Sequence, residues 1–268
     1  MGNILDQIID GKFAEVQARR IKTPLSELER KVASLEKCRN FYKAVTKKNP
    51  RGLNVIAEVK KASPSAGLIR KDFDPVTIAK TYESCGADAI SVLTDEKYFQ
   101  GRLEYISQIK EAGVTLPILR KDFFVDEYQV YEARTAGADA ILLIADALKP
   151  ARLMDLLILA RTLTLTSVIE VHSADSLLML RSLADFPQPQ YTVLGINNRD
   201  LTTMTVDINT TSRLAELVDN TSELIAESGI KTRRDVEKMI KVGVGAVLIG
   251  ETLCKSENIA EKFNQLFG

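Results

Sequence analysis

The chain has 268 residues, a 45% apolar share, and 36 basic residues against 36 acidic ones, so its net charge is zero. That balance gives no support for nucleic-acid binding or for adhesion to an anionic membrane, and no run of ~18 apolar residues is present to cross a bilayer. Three scattered cysteines (Cys38, Cys85 and Cys254) suit a reducing compartment, here expected to be the cytoplasm, and the single histidine, His172, argues against a histidine-built metal site and against a Ser-His-Asp triad.

The N-terminus does not read as a signal peptide, because acids and bases follow at once. Met1-Gly2 is a poor myristoylation signal with Asp at position six. Ile4, Leu5, Ile8, Ile9, Phe13 and Val16 recur at helical spacing, with Lys12, Glu15, Arg19 and Arg20 expected on the solvated face. Thr23-Pro24 starts a second helix carrying Leu25, Leu28 and Val32. Residues 1–50 are therefore expected to be a helical extension, placed so that it can cover one mouth of the structure that follows.

Eight strands are predicted next, at 53–59, 89–93, 117–120, 140–144, 166–171, 192–197, 223–227 and 246–249, with helical patterns between them. Asp74-Pro75 is an N-cap and first-turn pair opening a helix that runs to Cys85. The stretch from Lys149 to Leu163 carries Leu153, Met154, Leu156, Leu157 and Leu159, which fits a helix pressed between sheet and neighbours. Thr232-Arg233-Arg234-Asp235 opens another helix, striped by Val236, Met239, Ile240 and Val242.

An internal repeat decides the fold. Gly86-Ala87-Asp88-Ala89, Gly137-Ala138-Asp139-Ala140 and Gly243-Val244-Gly245-Ala246 each end a helix at glycine and lead into a buried strand. The glycines are spaced at about two and four times ~26 residues, a workable length for one strand-helix unit with short loops. The strands are unbroken apolar runs, as in a parallel sheet covered by helices. Eight units favour closure over an open sheet, and no GxGxxG follows the first strand. The expected architecture is an α/β fold, a (β/α)8 TIM barrel with an N-terminal helical extension, with residues 1–268 as one domain.

Polar residues gather at the strand exits, where such a barrel keeps its active site. Glu58 and Lys60 end the first strand on a shared face, followed by the turn Ser63-Pro64-Ser65. Lys121 ends the third strand and Glu170 the fifth. Asn197 and Arg199 end the sixth, Glu227-Ser228-Gly229 the seventh, and Gly250-Glu251 the eighth. Mixed lysines and carboxylates without histidine suit proton transfers on an anionic substrate. Glycine-containing loops after the last two strands suit phosphate binding through backbone N–H groups. Two lysines, Lys60 and Lys121, converging on one pocket would repel, and that repulsion is expected to lower a lysine pKa.

The segments Glu58-Val59-Lys60-Lys61-Ala62-Ser63-Pro64-Ser65, Leu119-Arg120-Lys121-Asp122-Phe123, Glu170-Val171-His172, Gly195-Ile196-Asn197-Asn198-Arg199-Asp200-Leu201 and Glu227-Ser228-Gly229-Ile230 resemble, in order and spacing, the signatures of the indole-3-glycerol phosphate synthase family. The opening helices resemble that family's too, so the similarity spans essentially the whole chain, whose start and finish are those expected of the synthase alone. The resemblance implies a lyase of tryptophan biosynthesis acting on 1-(2-carboxyphenylamino)-1-deoxyribulose 5-phosphate without metal or cofactor. It implies Lys121 as general acid on the ribulose carbonyl, Glu170 as a proton-transfer group, and Lys60 in the later dehydration. Glu58 would hold Lys60. Asn197 and Glu227 would orient these groups and the sugar hydroxyls, Arg199 and Ser63 would hold the anthranilate carboxylate, and Phe123 would line the aromatic pocket. Ser228, Gly229 and Gly250 would bind phosphate, with Glu251 offering only its backbone N–H and turning its carboxylate away. The implied partners are the phosphorylated substrate and other tryptophan-pathway enzymes. Two alternatives remain open: another phosphate-binding barrel, such as phosphoribosylanthranilate isomerase or the tryptophan synthase α subunit, and a barrel that only binds.

Overall fold

The computed structural model describes residues 4–184 and 186–268; the Met1-Gly2 pair lies outside them. Eight strands form a closed barrel in which every neighbouring pair is parallel. They are β1 (Asn54–Val59), β2 (Ala89–Leu93), β3 (Ile118–Lys121), β4 (Ala140–Ile144), β5 (Thr166–Val171), β6 (Thr192–Asn197), β7 (Leu224–Glu227) and β8 (Ala246–Ile249). Each predicted strand is present to within a residue or two at its ends. A short antiparallel ribbon, Ala62–Ser63 against Gly67–Leu68, follows β1 and carries Ser63.

The strands are buried almost throughout, which explains their unbroken apolar sequence. One apolar set, including Val55, Ile90, Ile141 and Val247, packs outward against the helices. The other, including Ile56, Leu119, Leu142, Val168 and Leu248, fills the barrel interior. The glycines of the repeat do what their positions predict. Gly86, Gly137 and Gly243 have φ of +84°, +93° and +85°, so each ends its helix in a conformation that costs other residues a Cβ clash. Asp74 caps the helix Pro75–Ser84, and Thr232 with Asp235 forms a capping box on the helix Arg233–Val242.

The extension has three helices, α1 (Ile4–Lys22), α2 (Leu25–Ala33) and α3 (Phe41–Thr46). It reaches both ends of the barrel. Leu5 and Ile8 of α1 join the interior apolar column from the exit side, lining the same cavity as Leu142 and Ile144. Phe41 and Val45 of α3 join it from the entry side, where the Asn54 side chain donates to Val45 O, Lys47 O and Gly245 O.

The expected solvated face of α1 is corrected by the structure. Lys12 is 2% exposed, and its ammonium lies 2.9 Å from each of Glu15, Asp95 and Asp122. Asp122 also pairs with Arg120 at 3.1 Å, Arg120 pairs with Glu132, and Arg19 reaches Glu132 too. Phe13, placed on the apolar face by its spacing, is half exposed. The reason is that α1 docks on strand exits that are themselves charged, so a lysine with three carboxylate partners satisfies the interface better than an apolar residue would.

Candidate active site

A cavity of about 880 Å³ opens at the strand exits and is lined by Glu58, Lys60, Ser63, Lys121, Phe123, Glu170, Asn197, Arg199, Glu227, Ser228, Gly229, Gly250 and Glu251. Every residue singled out from the sequence thus faces one space, of a size suited to a single small molecule. Parallel register contributes to the convergence: Asn197 aligns with Glu227, and Glu170 aligns with Gly195, two residues before Asn197 on the same face of its strand.

The charged centre has two halves. Lys60 Nζ lies 2.6 Å from Glu58 Oε1, the pairing that their shared face predicts. Lys121 Nζ lies 2.9 Å from Glu170 Oε2 and 3.1 Å from Glu227 Oε2. Asn197 Nδ2 donates to Glu170 Oε1 at 3.1 Å, and its Oδ1 accepts from the backbone N–H of Arg199. These contacts overturn the expected pKa of Lys121. Burial alone would lower it, but the negative charges of Glu170, Glu227 and Glu58 and the hydrogen bond to Glu170 outweigh burial and raise it above the ordinary lysine value. The carboxylates around Lys121 set its state, whereas the second lysine is occupied by Glu58.

The two carboxyls beside Lys121 separate. Glu227 is pushed up to about 8 by burial and by the negative charge of Glu170, against the pull of Lys121. Glu170 is held well below the usual carboxylate range: burial opposes this, but the charges of Lys121 and His172 prevail. The two carboxyls are thus pushed in opposite directions, Glu170 toward the ionised form and Glu227 toward the protonated one.

The walls divide by chemistry. Phe123, Phe99, Leu142, Ile144, Ile4, Leu5 and Ile8 make an apolar side, with the Phe99 and Phe123 rings 6.2 Å apart. Arg199 stands on the loop after β6, where its guanidinium donates to Met204 O at 3.1 Å and lies 3.6 Å from a Glu251 carboxylate oxygen. The Glu251 carboxylate is thus turned toward the Arg199 guanidinium. Ser228 and Gly229 have φ of +65° and +82°, a consecutive left-handed pair. Among the described residues, the backbone N–H groups of Gly229, Ile230, Glu251 and Thr252 find no acceptor in the chain. Gly250 departs from expectation: its φ is −122°, and an added Cβ would overlap the Glu58 carboxyl. Its lack of a side chain makes room for Glu58.

A family model described as indole-3-glycerol phosphate synthase matches residues 5–266. The chain belongs to the indole-3-glycerol phosphate synthase family. Curated proteins of that name include one from Geobacillus thermodenitrificans, 45% identical over 99% of this chain and 97% of its own length. Another, from Dehalococcoides mccartyi, is 44% identical over 98% of this chain and 99% of its own. More distant solved structures share the barrel. A 3-hexulose-6-phosphate synthase has a TM-score of 0.62 at 13% identity, and a tryptophan synthase complex from Pyrococcus furiosus 0.56 at 14%. Each covers 80% of this chain, with 98% and 97% of the respective neighbour matched, and at that identity the likeness concerns fold alone.

Within this synthase-family chain, the residue-by-residue reading missed three features of the site. Gly195, in mid-strand, leaves the space that the Glu227 carboxyl occupies, since a Cβ there would overlap Glu227 Oε1; an interior strand glycine is the usual sign of such an approach. The Lys12, Asp122 and Arg120 network meets the cavity at Asp122, the residue between Lys121 and Phe123. His172, just past the end of β5, reaches Glu170 with Nε2 3.2 Å from Oε1, a neighbour that its two-residue offset could have signalled. Among the described residues, no group of His, Cys, Asp and Glu is arranged to hold a metal ion, and no helix is long and apolar enough to cross a membrane.

Proposed function

We propose that this chain closes the indole ring of 1-(2-carboxyphenylamino)-1-deoxyribulose 5-phosphate, giving indole-3-glycerol phosphate, carbon dioxide and water. The observation that carries the reading is the Lys121 ammonium held between the Glu170 and Glu227 carboxyls, in one cavity with an apolar wall and Arg199. The substrate's aryl ring lies against Phe123 and the α1 side chains, its carboxylate between Arg199 and Ser63, and its phosphate at the free N–H groups of the Ser228-Gly229 and Gly250-Glu251 loops.

In the first step the ring carbon bearing the carboxylate attacks the ribulose C2 carbonyl, whose oxygen takes a proton from Lys121. Loss of carbon dioxide returns the bonding pair to the ring. The new hydroxyl then leaves as water on taking a proton from Lys60, and Glu170 removes a proton from the carbon beside nitrogen. One carboxylate and one net proton are consumed, and one carbon dioxide and one water are released. Lys121 acts here chiefly as a fixed positive charge and donor where negative charge develops on oxygen, which suits its raised pKa. Glu58 holds Lys60 in place, and Asn197 orients Glu170. We place this work in the cytoplasm, with the free thiols Cys38, Cys85 and Cys254 in support, and expect other tryptophan-pathway enzymes to supply the substrate and take the product.

The test mixes purified protein with the carboxyphenylamino-deoxyribulose phosphate and follows indole fluorescence. A rise that Lys121→Met abolishes supports the reading. No rise at high protein concentration would remove it.

A further inference from the structure

His172 is the chain's only histidine, and it lies behind Glu170 rather than among the residues lining the cavity. Its Nδ1 is 2.9 Å from Asp146 Oδ2, on the short turn Ala145–Ala147 that follows β4. Its Nε2 is 3.2 Å from Glu170 Oε1 but makes no aligned hydrogen bond, so it acts on Glu170 mainly through charge. The other groups facing this cluster are Lys121 from β3, Glu227 from β7 and the neutral amide of Asn197 from β6. Along Asp146, His172, Glu170 and Lys121 the charges alternate. The line runs from a partly exposed carboxylate into the buried centre, where Coulombic effects are strong.

We infer that Asp146 and His172 form a positioning pair that keeps Glu170 ionised and aimed into the cavity, so that Glu170 rather than Glu227 is the site's base. The inference rests on the proposed lyase reading only for what Glu170 does to substrate. The two carboxyls sit on one lysine at nearly equal distance, so Lys121 alone does not choose between them. The imidazolium does, because it approaches Glu170 and not Glu227. Glu227 Oε1 has no hydrogen-bond partner at all. An ordinary strand-end ion pair would add stability and leave the pH dependence of catalysis unmoved.

A single histidine makes the test direct, because its imidazole resonances need no assignment. In the free wild-type protein His172 should stay protonated through pH 8: burial would lower its pKa, but the hydrogen bond with Asp146 and the charges of Glu170 and Asp146 raise it to about 10. Asp146→Asn should bring that titration down by about one pH unit or more. In kinetics, His172→Gln should lower kcat by roughly tenfold or more, as loss of an orienting partner commonly does, while KM stays within about twofold. Losing the cation raises the Glu170 pKa, so the acid limb of the kcat profile should move to higher pH. Should the Gln variant not fold, Asp146→Asn carries the same kinetic test from a partly exposed position. An imidazole titrating near the ordinary 6.5 in wild type, or a variant with unchanged kcat and acid limb, would overturn the inference. A protonated His172 in a protein that makes no indole would instead sink the lyase reading and leave the pair standing.

Discussion

Lys121→Met removes the one cation between Glu170 and Glu227 while keeping most of the side-chain volume. Two separate effects follow. General-acid catalysis is worth ~10²–10⁴ in rate, and at 1.36 kcal/mol per factor of ten this is about 2.7–5.4 kcal/mol of transition-state stabilisation. The fold responds differently. Removing one partner of a buried ion pair costs about 3–5 kcal/mol when the other charge stays unpaired, but Glu170 keeps His172, and Glu227 keeps the proton it already favours. Glu227 binds that proton more tightly folded than unfolded. Its contribution to stability is therefore complete below the ordinary value of 4.5 and is lost as pH rises through about 8. Without Lys121 to pull that pKa down, the loss continues beyond pH 8, where in wild type it is complete. The Met variant should thus fold almost as stably as wild type at pH 6 and fall behind above pH 9, with kcat down throughout. Urea titrations at both pH values, with kcat from indole fluorescence, measure both effects. Retention of more than about a third of the wild-type kcat, against the expected loss of general-acid catalysis, would refute the role given to Lys121.

Arg199→Lys should weaken binding of an anthranilate-type carboxylate analogue despite keeping the charge, because the planar two-pronged donor is lost; unchanged affinity in calorimetry would move the carboxylate site elsewhere. Gly229→Val should sharply reduce competition by inorganic phosphate, since the position has φ of +82° and a Cβ would press on Val206, whereas Ser228→Ala should be mild. Gly250→Val should act mainly on kcat, by displacing the Glu58 carboxyl that holds Lys60; a pure loss of phosphate affinity would contradict that account. Lys12→Met should cost about 3–5 kcal/mol in urea unfolding by stranding Asp95 and Asp122, and a change below about 1 kcal/mol would show that the network is not stabilising.

Much of this architecture was legible because parallel-barrel strands announce themselves twice: as unbroken apolar runs, and as runs whose polar residues cluster at one end. Glu58 with Lys60, Lys121, Glu170 and Glu227 stood out for that reason, and the cavity unites them. What stayed hidden depends on contacts distant in sequence. Lys12 reads as solvated because its partners Asp95 and Asp122 come from other units, and only docking of α1 brings them within 2.9 Å. The state of Lys121 was expected in the wrong direction because repulsion between lysines was visible in the sequence, while the carboxylates enclosing this one were not visible as a set. Gly250 has the residue type expected of an anion loop, but its φ of −122° needs no glycine, and the nearness of Glu58 is what excludes a side chain there. His172 carried a local signal, its two-residue offset from Glu170, but its second partner, Asp146, comes from the preceding strand's exit.

The central claim is that this cavity couples ring closure to loss of the carboxylate. The direct measurement supplies substrate labelled in that carboxylate and counts labelled carbon dioxide against indole formed, in wild type and in Lys121→Met. The account predicts one carbon dioxide per indole in wild type and neither product above background in the variant. Consumption of the substrate with its carboxylate retained, as in a sugar isomerisation, would contradict it.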